Sequence, residues 1–198
     1  MRDLSNTGMN LRLSEAVKLL EKYKLPKIAI DHSILVAKIV RILGEILKER
    51  GYPVDVDSAE IGALLHDIGR SVSWGVDHCY HGYRILKTEA PGYENYALRH
   101  VGAGLSHEEA GSLGLPEDLN YMPQTLEEKL VAYADNIVYA DKFMGPDRCE
   151  ERFKRELGGN HPGYIRIVNL NRFFERIIGR EELHRVFDLF KNRRAEQR

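Results

Sequence analysis

The chain has 198 residues, of which 43% are hydrophobic and 30% charged, with only 7 Pro and 17 Gly. That is enough length and apolar content for one or at most two packed domains, and it excludes a mainly disordered, collagen-like or proline-rich chain. The formal net charge of −1 and mean hydropathy of −0.40 provide no global positive field for nucleic acid, and no apolar run approaches the ~20 residues of a membrane span.

Apolar residues recur at spacings of three and four and no stretch alternates like a half-buried strand, so the expected fold is all-α. A first helix is expected from Ser14 to about Tyr23, ended by Leu25-Pro26. A long helix follows, capped by Asp31, with Leu35, Val36, Ile39, Val40, Leu43, Ile46 and Leu47 as its stripe and Gly51-Tyr52-Pro53 as its stop. Asp57 or Ser58 opens a third helix through Leu64, Leu65 and Ile68, with Gly69 near its end and a loop over 70–77. Helices are expected over 78–88 and 93–100, split by Ala90-Pro91-Gly92, and the glycines from Gly102 to Gly114 make 101–124 loop-rich, with one helical turn from Ser106. Thr125 and Glu128 form a capping-box pattern opening a helix through Leu130, Ala134, Ile137 and Val138. Beyond Gly145-Pro146 three charged amphipathic helices are expected near 147–157, 163–178 and 180–194. A single domain is expected, with 1–27 a helix packing on the core, 28–145 the core and 146–198 a helical extension.

Cys79 and Cys149 have no CxxC spacing, so reduced, inert thiols are expected. The start, Met-Arg-Asp-Leu-Ser-Asn-Thr, has acid and amide groups where a signal peptide has its apolar stretch, which points to a cytoplasmic protein. The basic run 191–194 reads as a solvated end.

Eight histidines, six of them between His32 and His107, are not explained by composition. His32 lies on the apolar stripe of the long helix, four residues before Val36 and seven before Ile39. Asp135 lies four after Val131 and three before Val138, so its carboxylate is expected to point inward and to need a cationic partner. His66-Asp67 interrupts the apolar run Ala63-Leu64-Leu65, His78 and His81 are three apart, and His100 ends an apolar helix. Imidazoles and carboxylates are the ligands of divalent metals with hard-to-borderline preferences.

His32, then His66-Asp67-Ile68-Gly69, then Asp135 in Ala134-Asp135-Asn136, resembles the HD superfamily of metal-dependent phosphohydrolases, specifically its HDIG branch, over roughly residues 28–145. The resemblance implies an all-α helical bundle in which His32, His66, Asp67 and Asp135 hold one divalent metal. In dinuclear branches further histidines hold a second ion and the HD aspartate bridges; His81 and His100 match those positions in order and approximate spacing, with His78 and His107 as spares. The metal is one or two ions of manganese, iron, cobalt, nickel, magnesium or zinc. A single-metal nucleotidase branch has an acidic residue three places after the HD aspartate, where this chain has Arg70. A guanidinium there suits an anionic phosphate oxygen, with Lys142 and Arg148 as further candidates for substrate binding. The expected activity is hydrolysis of a phosphomonoester or phosphodiester by metal-activated water, with Asp67 and Arg70 as catalytic residues and a nucleotide-like or small phosphorylated substrate. The alternative is a non-catalytic metal- or nucleotide-binding sensor. Tyr80, Tyr83, Tyr93 and Tyr96 are candidates to stack on a base or to fill space. The net charge counts against a long nucleic acid, no membrane partner is expected, and the aromatic C-terminal helices offer a contact for a homo-oligomer.

Overall fold

The structure, a computed structural model, describes residues 11–192. The N-terminal heptapeptide and Arg193-Arg194 of the basic run lie outside these residues, as does the end of the last expected helix.

The fold is an all-α bundle of α1 (Leu13–Lys22), α2 (Lys27–Glu49), α3 (Val56–Leu65), α4 (His78–Glu89), α5 (Glu94–Arg99), α6 (His107–Ser112), α7 (Leu126–Asn136), α8 (Pro146–Leu157), α9 (Pro162–Ile178) and α10 (Arg180–Asn192). A 3-10 turn, Ile68–Ser71, follows α3, and a two-stranded antiparallel hairpin, β1 (Val138–Tyr139) and β2 (Lys142–Phe143), follows α7. No helix among the described residues is long and apolar enough to cross a membrane.

The long helix α2 is the axis of the molecule. Val36, Ile39, Val40, Leu43 and Leu47 are all buried and face α3 and α7. Helix α3 is apolar nearly all round, which suits an element enclosed on every side. One contiguous core runs from Ala16 and Leu20 in α1 through α2, α3 and α7 to Cys149, Phe174, Ile178 and Phe187 in α8–α10. Tyr133 of α7 stacks on Phe174 of α9, with ring centroids 4.6 Å apart. A second, smaller cluster of Cys79, Leu98, Ala110, Leu115 and Tyr121 holds α4, α5 and α6 to the loop before α7.

Several helix boundaries differ from the sequence expectation, each for a local reason. Helix α1 begins at Leu13, one residue ahead of Ser14, with Glu15 accepting from the Arg12 backbone N–H at 2.8 Å. Helix α2 begins at Lys27 directly after Pro26, whose fixed φ suits a helix entry, so Asp31 lies inside the helix and pairs with Lys27 at 2.6 Å. Asp55, and neither Asp57 nor Ser58, caps α3 by accepting from the Ser58 N–H at 3.0 Å, which lets Val56 join the helix and the core. The Thr125–Glu128 capping box is present, and Glu128 also takes both its oxygens to Arg99, tying α7 to α5. Ile137 and Val138, expected on α7, instead leave it for the hairpin, where the Ile137 carbonyl accepts from the backbone N–H groups of Met144 and Gly145. β-Branched residues in succession favour that extended path.

Candidate metal centre

Six side chains from five separate elements meet at one end of α2. His32 comes from the first turns of α2, His66 and Asp67 from the end of α3 and the step into the 3-10 turn, His78 from the first residue of α4, His100 from the end of α5 and Asp135 from the last turn of α7. What brings α4 close enough is glycine. A Cβ at Gly69 would lie 1.9 Å from the His78 carbonyl oxygen, so only glycine lets the 3-10 turn touch the backbone of α4. Gly82, one helical turn on from His78, faces Ala97 of α5, and a Cβ there would sit 2.8 Å from the Ala97 methyl.

Asp67, only 2% exposed, divides the group in two. Its Oδ1 lies 3.1 Å from His78 Nε2 and 3.5 Å from His100 Nε2. Its Oδ2 lies 3.9 Å from His32 Nε2 and 3.8 Å from His66 Nε2. Asp135 Oδ1 joins the second half, 2.9 Å from His32 Nε2 and 3.5 Å from His66 Nε2. Two sets of three side chains, His32, His66 and Asp135, and His66, Asp67 and His100, each present ligand atoms within 4.8 Å of one another. These sets are geometrically compatible with one or two divalent metal ions.

The protons reinforce the geometry. Each of the four imidazoles has Nδ1 within 2.7 Å of a backbone carbonyl: Ala140 for His32, Ala63 for His66, Gly75 for His78 and Ala97 for His100. A carbonyl only accepts, so every Nδ1 carries a hydrogen and donates it, and in the neutral ring every Nε2 is a bare lone pair aimed inward. That is the tautomer and outer support of a metal-binding histidine. Ala140 supplies its carbonyl from the hairpin turn in a left-handed conformation, φ +51°, unusual for a residue with a Cβ. His78 Nε2 and His100 Nε2 stand 2.9 Å apart, lone pair to lone pair, an arrangement that requires a shared cation or proton. Ligands about 2.1 Å from one ion and at right angles would be about 3 Å apart. His66 Nε2 and Asp67 Oδ1 are buried and make no hydrogen bond, which leaves both available as ligand atoms. The donor set therefore fits a divalent metal.

Electrostatics follow from the same contacts. Burial opposes charge on Asp67, but His66, His100 and His78 outweigh it and hold the carboxyl well below its usual range. Desolvation likewise opposes charge on Asp135, whose side chain is only part-buried, and His32 and His66 hold it low. Burial also opposes protonation of His32, yet Asp135, then Asp67, raise it to about 9. Burial dominates at His100 and lowers it to about 4.

His32, Asp67, His78, His100 and Asp135 form the floor of a cavity of about 440 Å³ lined also by Arg70, Trp74, Val101, Asn136, Tyr139 and Arg152. Arg70 Nε donates to Asp67 Oδ2 at 2.6 Å, and its guanidinium lies 5.5 Å from the Trp74 ring centre.

Residues 29–140 match the family model described as HD domain. The chain belongs to the HD-domain family. An uncharacterized protein of Methanocaldococcus jannaschii is 43% identical over 145 residues, covering 72% of this chain and 85% of that protein. A tRNA (cytidine(56)-2′-O)-methyltransferase of Thermoplasma volcanium is 34% identical over 165 residues, covering 82% of this chain and 46% of the relative. The protein of the same name from Picrophilus torridus is 37% identical over 131 residues, covering 65% of this chain and 38% of the relative. The chain thus matches less than half the length of either methyltransferase. No solved structure matches it.

Within the HD domain the structure brings together His32, His66, Asp67, His100 and Asp135, but not His81. His81 is on the flank of α4, part exposed, with Nε2 3.4 Å from Asp77 Oδ2 and a separate surface groove around it. The imidazole in the cluster is His78. The sequence carries a signal for the choice: Gly82, four residues after His78, marks the helix face that needs close approach. Among the cations, Arg70 lines the cavity, whereas Lys142 is exposed on β2 and Arg148 lines a different cavity beside Phe187 and Phe190. The hairpin displaces both, because it carries Lys142 outward and starts α8 so that Arg152 faces the mouth. His107 bonds the Glu117 carbonyl away from the site. Tyr93 and Tyr96 are core residues, and Tyr80 and Tyr83 line the groove beside His81; the aromatic rings at the metal cavity are Trp74, Tyr139 and Phe153.

Proposed function

We propose that the protein is a metal-dependent phosphohydrolase acting on a nucleotide-like or small phosphorylated substrate. The observation that carries this reading is the inward convergence of four imidazole Nε2 atoms on two carboxylates, with the buried His66 Nε2 and Asp67 Oδ1 left without hydrogen-bond partners. One ion would be held by His32, His66, Asp135 and Asp67, and a second by His78, His100 and the other oxygen of Asp67. When bound, the ions supply Lewis-acid activation of water and neutralise phosphate oxygens.

The chain's own residues do the rest. Asp67 spans the two halves of the site and fixes their separation. The four backbone carbonyls keep Nε2 of each histidine aimed at the centre, so the site is organised before substrate arrives. Arg70 is oriented through Nε by Asp67, which leaves its terminal nitrogens to donate to a phosphate oxygen and to charge that builds up on it during transfer. Trp74 supports Arg70 from the solvent side.

The names of the two methyltransferase relatives attach to proteins of which more than half lies outside the match. Their tRNA substrate nevertheless makes RNA ends and 2′,3′-cyclic phosphates worth including beside mononucleotides. The test is a hydrolysis panel of those compounds with the purified protein and added manganese, magnesium, cobalt or nickel. Metal-dependent hydrolysis is expected, read as phosphate release from monoesters and as ring opening to a monoester for the cyclic phosphates, and falling at least a hundredfold in His66→Ala and Asp67→Ala while circular dichroism stays helical. Full activity in either variant, or none in the unaltered protein under any metal, would sink the reading.

A further inference from the structure

Helix α8 lies beyond the matched region 29–140, yet it reaches back to the mouth of the metal cavity and contributes Arg152 and Phe153 to its lining. Its position is fixed from two sides. Cys149 is fully buried in the core, and Glu150 accepts from Asn171 Nδ2 of α9 at 2.8 Å. Arg152 is three residues on from Cys149 and therefore on the same inward face. Its guanidinium lies 4.3 Å from the Phe153 ring centre and 5.5 Å from that of Tyr139 on β1.

Among the described residues Arg152 and Arg166 have a buried Nε without a hydrogen-bond partner, and of the two only Arg166 has a carboxylate on its terminal nitrogen. Arg41, Arg70, Arg99, Arg166 and Arg180 all have carboxylate partners. Arg152 has none, and its Nε is buried without a hydrogen-bond partner. A buried donor on a charged group is costly to leave unpaired unless something else supplies the acceptor. The wall of a cavity whose floor suits phosphate is where an anionic acceptor arrives. Around it stand three rings, two of them well exposed: Trp74 at 60% and Tyr139 at 61%. Exposed aromatic rims flanking a metal-competent floor and the guanidinium groups of Arg70 and Arg152 match a ligand with one anionic group and one planar group.

We propose that Arg152 is the substrate-anchoring residue of the site. In this role it donates to an anionic oxygen of a phosphorylated ligand whose planar aromatic portion lies between Trp74 and Tyr139. The C-terminal helical segment is then part of the binding site and sets its selectivity, while the HD domain supplies the floor. The assignment rests on the phosphohydrolase reading for the identity of the phosphate group, but its test does not require turnover.

Trp74 is the only tryptophan of the chain, so intrinsic fluorescence reports occupancy of this cavity directly. The manganese-loaded protein is mixed by stopped flow with AMP, ribose 5-phosphate or inorganic phosphate, and the amplitude before turnover gives Kd. Arg152→Ala is expected to weaken AMP and phosphate at least tenfold, about 1.4 kcal/mol, and Arg152→Lys, which keeps the charge, to lose less. AMP is expected to bind at least tenfold more tightly than ribose 5-phosphate. Unchanged Kd values in Arg152→Ala with a wild-type circular dichroism spectrum, or equal affinity for AMP and ribose 5-phosphate, overturn the assignment. If Arg152→Ala loses its helical spectrum, Arg152→Lys decides: AMP binding weakened in a folded variant supports the contact, and unchanged binding overturns it. AMP binding through Arg152 without any hydrolysis would defeat the phosphohydrolase reading and leave this one standing. Hydrolysis with an unchanged KM in folded Arg152→Ala would do the reverse.

Discussion

His78 and His81 sit three residues apart on α4, and their different surroundings separate a candidate ligand from a surface residue. His78 has its Nδ1 donated to Gly75 and its Nε2 within 3.1 Å of Asp67, whereas His81 faces Asp77 at the edge of a groove. His78→Ala is therefore expected to release at least one ion per chain and cut metal-dependent hydrolysis by tenfold or more, with His81→Ala within about twofold of wild type. Equal effects of the two substitutions on metal content would contradict the placement. His32 makes a second prediction. Its pKa in the metal-free protein is about 9 against an ordinary 6.5, because Asp135 and Asp67 outweigh the opposing effect of burial. A group raised on folding stabilises the folded state fully below its unfolded value, and that contribution is lost as pH rises from about 6.5 through about 9. The gap corresponds to about 3 kcal/mol. Urea denaturation of chelator-treated protein is expected to show stability falling between pH 6 and pH 9.5, and His32→Asn to flatten that profile. A wild-type profile that is flat over this range would contradict the His32–Asp135 pairing.

At the scale of elements, the site depends on backbones that touch. The Gly69 Cα faces the carbonyl of His78 so closely that a methyl group would overlap it, and the 3-10 turn and α4 would have to separate. Gly69→Ala is thus expected to lower the melting temperature and to lose metal, although residue 69 touches no ligand atom. Metal content equal to wild type in this variant would show that the contact is not what positions His78. The same contact explains what the sequence reveals and what it hides. Positions within one helix are legible from periodicity: His32 on the stripe of α2 and Asp135 on the inner face of α7 follow from neighbours three and four residues away. The capping box at Thr125 is legible for the same reason, since its partners are three residues apart. The choice between His78 and His81 depends on which face of α4 meets the 3-10 turn, a tertiary contact between residues 69 and 82, and helical spacing alone leaves it open. The hairpin after α7 is hidden too. Ile137 and Val138 continue the apolar period of the helix, and the hydrogen bonds that draw them away come from Met144 and Gly145. That turn alters the cation at the cavity, because it carries Lys142 outward and brings α8 in with Arg152.

Across the whole molecule, five elements far apart in sequence converge on one point, and the core that holds them extends from α1 to α10. Such a site brings together one buried and one part-buried carboxylate with four imidazoles, an arrangement unfavourable on its own and relieved by cations. Metal binding and folding are therefore coupled, since ions that bind only the folded chain raise its stability by mass action. The most direct test is the number of divalent ions bound per chain after manganese reconstitution and desalting, measured by elemental analysis in the wild type and in Asp67→Ala. Two ions are expected in the wild type and loss of both in Asp67→Ala, because Asp67 is the one side chain with an oxygen facing each half of the cluster. One ion or none in the wild type, or an unaltered count in Asp67→Ala, would contradict this expectation.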